Sequence, residues 1–136
     1  MSIEATPQPP YPLHPSVVDR LDPEYVGFYN KYIINNQQVH YQSVEQSRIG
    51  GLPFGAGPLQ EVGSIKDYTI SRVESKGPDV SVRVFTPNGE PQGGRWPVVI
   101  YYHGGGWVLG NINTENVVCS NICARAEAVV VSVDYR

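Results

Sequence analysis

Two continuously apolar runs restrict the fold of this sequence more than any other feature: "PVVIYY" (97–102) and "VVVSVDY" (129–135). A strand with apolar side chains on both faces must be covered on both, which is the habit of parallel sheets. Between the runs lie "HGGGWVLGN" (103–111) and "NTENVVCSNICARAEA" (113–128), the latter with helical spacing. Strand, glycine loop, helix, strand is a βαβ unit. The spacing therefore predicts two parallel strands with a right-handed crossover. Asn113 is the candidate helix cap, with Glu115 in the first turn.

Upstream, "KDYTISRV" (66–73) and "DVSVRVF" (79–85) alternate as strands and read as a hairpin across "ESKGP". Val80, Val82 and Val84 face one way and Ser81 and Arg83 the other, so one side is expected to be wet. "TPNGEPQGGRWP" (86–97) is a long surface loop with a turn at Asn88-Gly89. Residues 1–15 form a proline-rich extended arm, and residues 16–57 a helical segment. Within it, Asp22-Pro23-Glu24 has the chemistry of a helix start. Tyr25, Phe28, Tyr29, Tyr32 and Ile33 then follow at helical spacing and read as a packing face. A second short helix runs through "VHYQSVEQSR" (39–48) and stops at Gly50-Gly51, where "GGLPFGAGP" links into the turn-rich remainder, 58–136.

Of 136 residues, 40% are hydrophobic and 17% charged, a composition that buries a core and does not describe a disordered chain. A net charge of −3 leaves no basic stripe to neutralise phosphates, which disfavours nucleic acid as a partner. The apolar runs are too short for a membrane span, and the first residues lack the pattern of a secretory signal. Cys119 and Cys123, four apart on one helix face, suit neither an intrahelical disulfide nor a zinc site. They read as small hydrophobes packing a helix onto a sheet, and with the missing signal they suggest a cytoplasmic protein.

Three chemistries place glycines behind a parallel strand. A dinucleotide fingerprint needs a third glycine where Leu109 stands, and a phosphate loop needs lysine where Asn111 stands. Both templates fail. The third is an oxyanion hole, in which bare peptide N–H groups converge on a carbonyl oxygen that becomes negative under attack.

"HGGGWVLGN" followed after a helix by "VVVSVDYR" resembles the hormone-sensitive-lipase family of α/β-hydrolases, which carry H-G-G-G-[aromatic] after the third strand and D-Y-R at the end of the fourth. The resemblance covers about residues 66–136, and the helical segment before it is similar to the family's N-terminal cap. It implies an α/β fold, the N-terminal part of an α/β-hydrolase: an antiparallel hairpin leading into a parallel βαβ unit. It implies that Gly105 and Gly106 are the oxyanion donors, that Gly104 is needed for the backbone path, and that His103 orients the loop without being the catalytic base. Trp107 would sit beside the substrate pocket, or simply pack. The resemblance implies a carboxylesterase or lipase-like activity on a small-molecule ester, with no metal or organic cofactor.

Such an enzyme needs a G-x-S-x-G elbow, then an acid, then a histidine. No glycine here has a serine two positions on, and His14 and His40 both precede the sheet. The expectation is a chain that supplies the oxyanion-hole half and, alone, is inactive; its partner would be the C-terminal half of the hydrolase. In the family's order the third strand lies beside a fifth, so "PVVIYY" is expected to present an apolar edge. The alternative is a non-catalytic truncated hydrolase serving as a binding or hetero-oligomerising module.

Overall fold

The computed structural model describes residues 9–49, 57–74 and 76–135. Most of the proline arm, the Gly50-Gly51 stop, the bulk of the glycine-rich linker and Arg136 therefore lie outside the described residues. The chain packs as two compact units, residues 1–45 and 46–136.

In the first unit, α1 (Pro15–Val18) and α2 (Pro23–Tyr32) precede a 3₁₀ turn (Val39–Tyr41). α2 starts where the sequence predicts. The Asp22 carboxylate accepts a hydrogen bond from the Glu24 N–H at 2.8 Å, and Pro23 occupies the first turn. The aromatic stripe differs from expectation. Only Tyr29 is buried, because its hydroxyl donates to the Tyr11 carbonyl and accepts from the Gln38 amide, while Tyr25, Phe28 and Tyr32 stay exposed. Helix α3 (Val44–Ile49) follows and runs into the second unit.

The second unit is a four-stranded mixed sheet with order β1-β2-β4-β3, built from β1 (Ser64–Ile70), β2 (Val80–Thr86), β3 (Val98–Tyr102) and β4 (Val129–Asp134). The predicted hairpin is present: β1 and β2 pair antiparallel, Ser64 opposite Thr86 through Ile70 opposite Val80. The predicted βαβ unit is present as well, with β3 parallel to β4 and α4 (Asn116–Ala126) between them. Val99, Val130 and Phe85 form one row across three strands, and α4 lays Cys119 and Cys123 onto it. Phe85, Val130 and both cysteines are fully buried, so the thiols act as the small apolar groups their spacing implies.

Three details depart from the sequence reading. Helix α4 begins at Asn116 with Glu115 as its cap residue, not at Asn113. The Asn113 side-chain carbonyl oxygen accepts from the Arg83 guanidinium at 2.9 Å and does not cap the helix. Arg83 also reaches Asn116 and forms a bidentate pair with Asp67, joining the hairpin to the α4 entrance. That guanidinium holds the Asp67 carboxyl below the ordinary carboxylate value. The Ser81/Arg83 side of β2 is consequently not simply wet: it shares its face with Phe85 and α4. Finally, β3 is covered on one face only among the described residues. Val99 and Tyr101 meet the core while Val98, Ile100 and Tyr102 are exposed, on a strand that ends the sheet. No helix among the described residues is long and apolar enough to cross a membrane.

Burial pushes the Cys119 thiol up from 9.0 to about 11 and raises Cys123 as well. The folded state favours the protonated thiol, so its contribution is whole below pH 9 and is lost as pH climbs towards about 11. At pH 8 neither cysteine of the folded chain should react with a disulfide-exchange reagent, whereas both should react in urea. Rapid labelling in the folded state would contradict the packing of α4.

Candidate active site

Parallel pairing brings the C-terminal ends of β3 and β4 side by side, with Tyr102 opposite Val133. In parallel sheets flanked by helices, that end is where ligands collect, because the loops of adjacent strands open there. From β3 the chain enters the glycine loop. From β4 it continues through Asp134 to Tyr135.

The loop is a tight turn closed on Gly105, whose carbonyl accepts from the N–H groups of Val108 (3.1 Å) and Leu109 (2.8 Å). Gly105 has φ +142°, and a Cβ there would lie 1.7 Å from the Leu109 carbonyl oxygen, so no side chain fits. Gly106 has φ +57° with open space around it. Gly104 meets neither condition: a methyl group there would have nothing within 4 Å, and its φ is not in the left-handed range. Gly110, which the sequence reading did not single out, is the second obligatory glycine. At φ +95° its Cβ would sit 2.3 Å from His103 Nδ1. Trp107, at φ +64°, is a side-chain-bearing residue in the left-handed region, and its indole is 98% exposed.

His103 is 4% exposed. Its Nδ1 lies 2.8 Å from the Gly104 carbonyl oxygen, which can only accept, so the proton is on Nδ1. Nε2 has no hydrogen-bond partner among the described residues. The ring stacks on Tyr135, with centroids 4.2 Å apart and 14° between planes, and the Tyr135 hydroxyl donates to the His103 carbonyl. Asp134 accepts from the Ile112 N–H at 3.0 Å. Arg48, from α3, donates Nε–H to the Val108 carbonyl at 2.8 Å. These elements enclose a cavity of about 280 Å³ lined by Arg48, His103, residues 107–111, Asp134 and Tyr135.

The structure brings His103, Gly104, Gly105, Gly106 and Trp107 together in this one loop, with His103 and Trp107 on the cavity wall. Gly105 and Gly106 do not line that cavity, and their N–H groups donate to no described residue. Sequence reasoning missed Arg48, which is 60 positions from its partner and carries no local signal. It also missed the use of Asp134 and Tyr135, although both belong to the D-Y-R at the strand end on which the resemblance rests. Among the described residues no cluster of three or more His, Cys, Asp or Glu could hold a metal ion.

Known proteins share the fold around this loop. Residues 99–136 match the sequence profile of the α/β hydrolase fold. An AB hydrolase superfamily protein of Schizosaccharomyces pombe is 48% identical over 131 residues, which are 92% of this chain and 38% of that protein. An arylesterase of Saccharolobus solfataricus is 32% identical over 120 residues, 85% of this chain and 37% of that protein. A solved arylesterase structure superposes with a TM-score of 0.62 at 26% identity, covering 85% of this chain and 37% of its own. The chain carries the N-terminal part of an α/β hydrolase fold. It spans about two fifths of the length of the two curated relatives compared.

In this loop the glycines are not equivalent, and substitution should separate them. Gly105→Ala should lower stability by about 2–4 kcal/mol, through backbone strain and a close contact with Leu109. Gly104→Ala should change it by less than about 1 kcal/mol in either direction. Thermal unfolding of both variants is the measurement, and equal losses would refute the difference in backbone demand.

Proposed function

We propose that this chain supplies the oxyanion-hole half of a carboxylic ester hydrolase. The observation that carries the reading is the pair of N–H groups at Gly105 and Gly106 that donate to none of the described residues, in a loop whose backbone admits no side chain at its first turn. The names of the relatives, arylesterase among them, support ester chemistry. A serine hydroxyl contributed by the remainder of the hydrolase attacks the ester carbonyl, and a histidine takes its proton. The carbonyl π electrons move onto oxygen, and the N–H groups of Gly105 and Gly106 hold that oxyanion. As the tetrahedral species collapses, the leaving alcohol takes the proton back. Water then repeats the attack on the acyl-serine and releases the acid. Each oxyanion donor is worth about 2.7–4 kcal/mol in such a step.

His103 is buried with its proton committed to Gly104, so it supports the loop and is not the base. Trp107 meets the substrate, a reading supported by its exposure on the cavity wall. The exposed apolar residues of β3 suit pairing with the remaining part of the hydrolase. Two free, buried cysteines fit a cytoplasmic location.

The 136 residues alone should not turn over short-chain nitrophenyl esters above the buffer rate, whereas a protein carrying them together with a serine elbow should. Robust turnover by the isolated chain would place the nucleophile within it and overturn this division of labour.

A further inference from the structure

A trans peptide is planar, so its C=O and N–H point in opposite directions. Whatever holds a carbonyl therefore aims the N–H of the next residue. The Gly104 carbonyl is held by His103 Nδ1–H at 2.8 Å, which turns the Gly105 N–H away from the imidazole. The Gly105 carbonyl is held by Val108 and Leu109, which turns the Gly106 N–H out of the turn. The aim of both N–H groups thus depends on what fixes His103 at one limb of the loop and what fixes the turn at the other.

Consecutive residues at the end of β4 do both. Tyr135 stacks its ring on His103 and donates its hydroxyl to the His103 carbonyl, gripping the first limb. Asp134 accepts from the Ile112 N–H, gripping the second. Asp134 ends β4 and Tyr135 is the next residue, so one strand end reaches both limbs. The buried Nε2 of His103, unpartnered among the described residues, adds weight. An unpaired buried polar atom is costly, so the ring keeps this orientation because Nδ1 and the tyrosine face determine it.

We propose that Asp134 and Tyr135 are positioning residues: a two-point clamp on the glycine loop that sets the direction of the Gly105 and Gly106 N–H groups. The functional part of this inference rests on the ester-hydrolase reading, and the geometric part does not. Tyr135→Phe keeps the stacked ring and removes the hydroxyl. Asp134→Ala removes the acceptor, and Asp134→Asn keeps an acceptor oxygen in the same place.

Amide hydrogen exchange of the 136-residue chain, followed residue by residue by NMR, is the first readout. In Tyr135→Phe and Asp134→Ala the Leu109 N–H should exchange about tenfold faster, the loss expected of one hydrogen bond. Val130 should keep its protection, and Asp134→Asn should restore the slow rate. Unchanged loop exchange, or a fall in loop and core protection together, would overturn the clamp. The second readout uses the protein that carries the serine elbow. There the same two variants should lower kcat by a similar factor with KM unchanged, again with rescue by asparagine. If that protein hydrolyses no ester, the hydrolase reading fails while the exchange data still decide the clamp. If esters are hydrolysed and kcat does not move, the clamp does not aim the donors.

Discussion

Everything at the candidate site depends on the parallel register of β3 and β4. Because Tyr102 lies opposite Val133, the glycine loop and the Asp134-Tyr135 pair emerge side by side. An antiparallel arrangement would put them at opposite ends of the sheet. The register is itself held by burial, since Val99, Val130 and Phe85 make a row that accepts Cys119 and Cys123 from the crossover helix. A hydrophobic contact on one face of the sheet is thereby converted into the placement of polar groups at its edge.

The next step is made by peptide geometry and not by side chains reaching into a cavity. Gly105 and Gly110 are glycine for steric reasons, with backbone or imidazole atoms where a Cβ would be. Gly106 is glycine for its dihedral. Trp107 accepts a left-handed backbone with its indole almost wholly in solvent, a conformation of order 1–3 kcal/mol in cost that persists because the turn on either side is hydrogen-bonded. In the loop the carbonyls of His103, Gly104, Gly105 and Val108 are occupied, whereas the N–H groups at 105 and 106 have no acceptor among the described residues.

Much of this was legible in the sequence, for identifiable reasons. Apolar runs and helical spacing are local signals, so the hairpin, the βαβ unit, the parallel pairing and the packing role of the cysteines could all be read. The helix start at Asn116 could not, because Asn113 is diverted by Arg83, 30 positions away. The exposure of the α2 stripe and of one face of β3 was likewise hidden, since periodicity says which residues share a face and not whether anything covers it. In the site, the glycine motif announced the loop but not the division of work within it. Gly104 has room to spare, Gly110 has none, and Asp134 and Tyr135 act on a loop more than twenty positions upstream.

The measurement that bears most directly on the central claim is a crystal structure of the serine-bearing protein trapped with a phosphonate ester, whose phosphoryl oxygen stands in for the oxyanion. The account predicts that oxygen within about 2.7–3.1 Å of both the Gly105 and Gly106 nitrogens, the range of an oxyanion-hole hydrogen bond. A phosphoryl oxygen bound by other donors, with those two nitrogens turned from it, would contradict it.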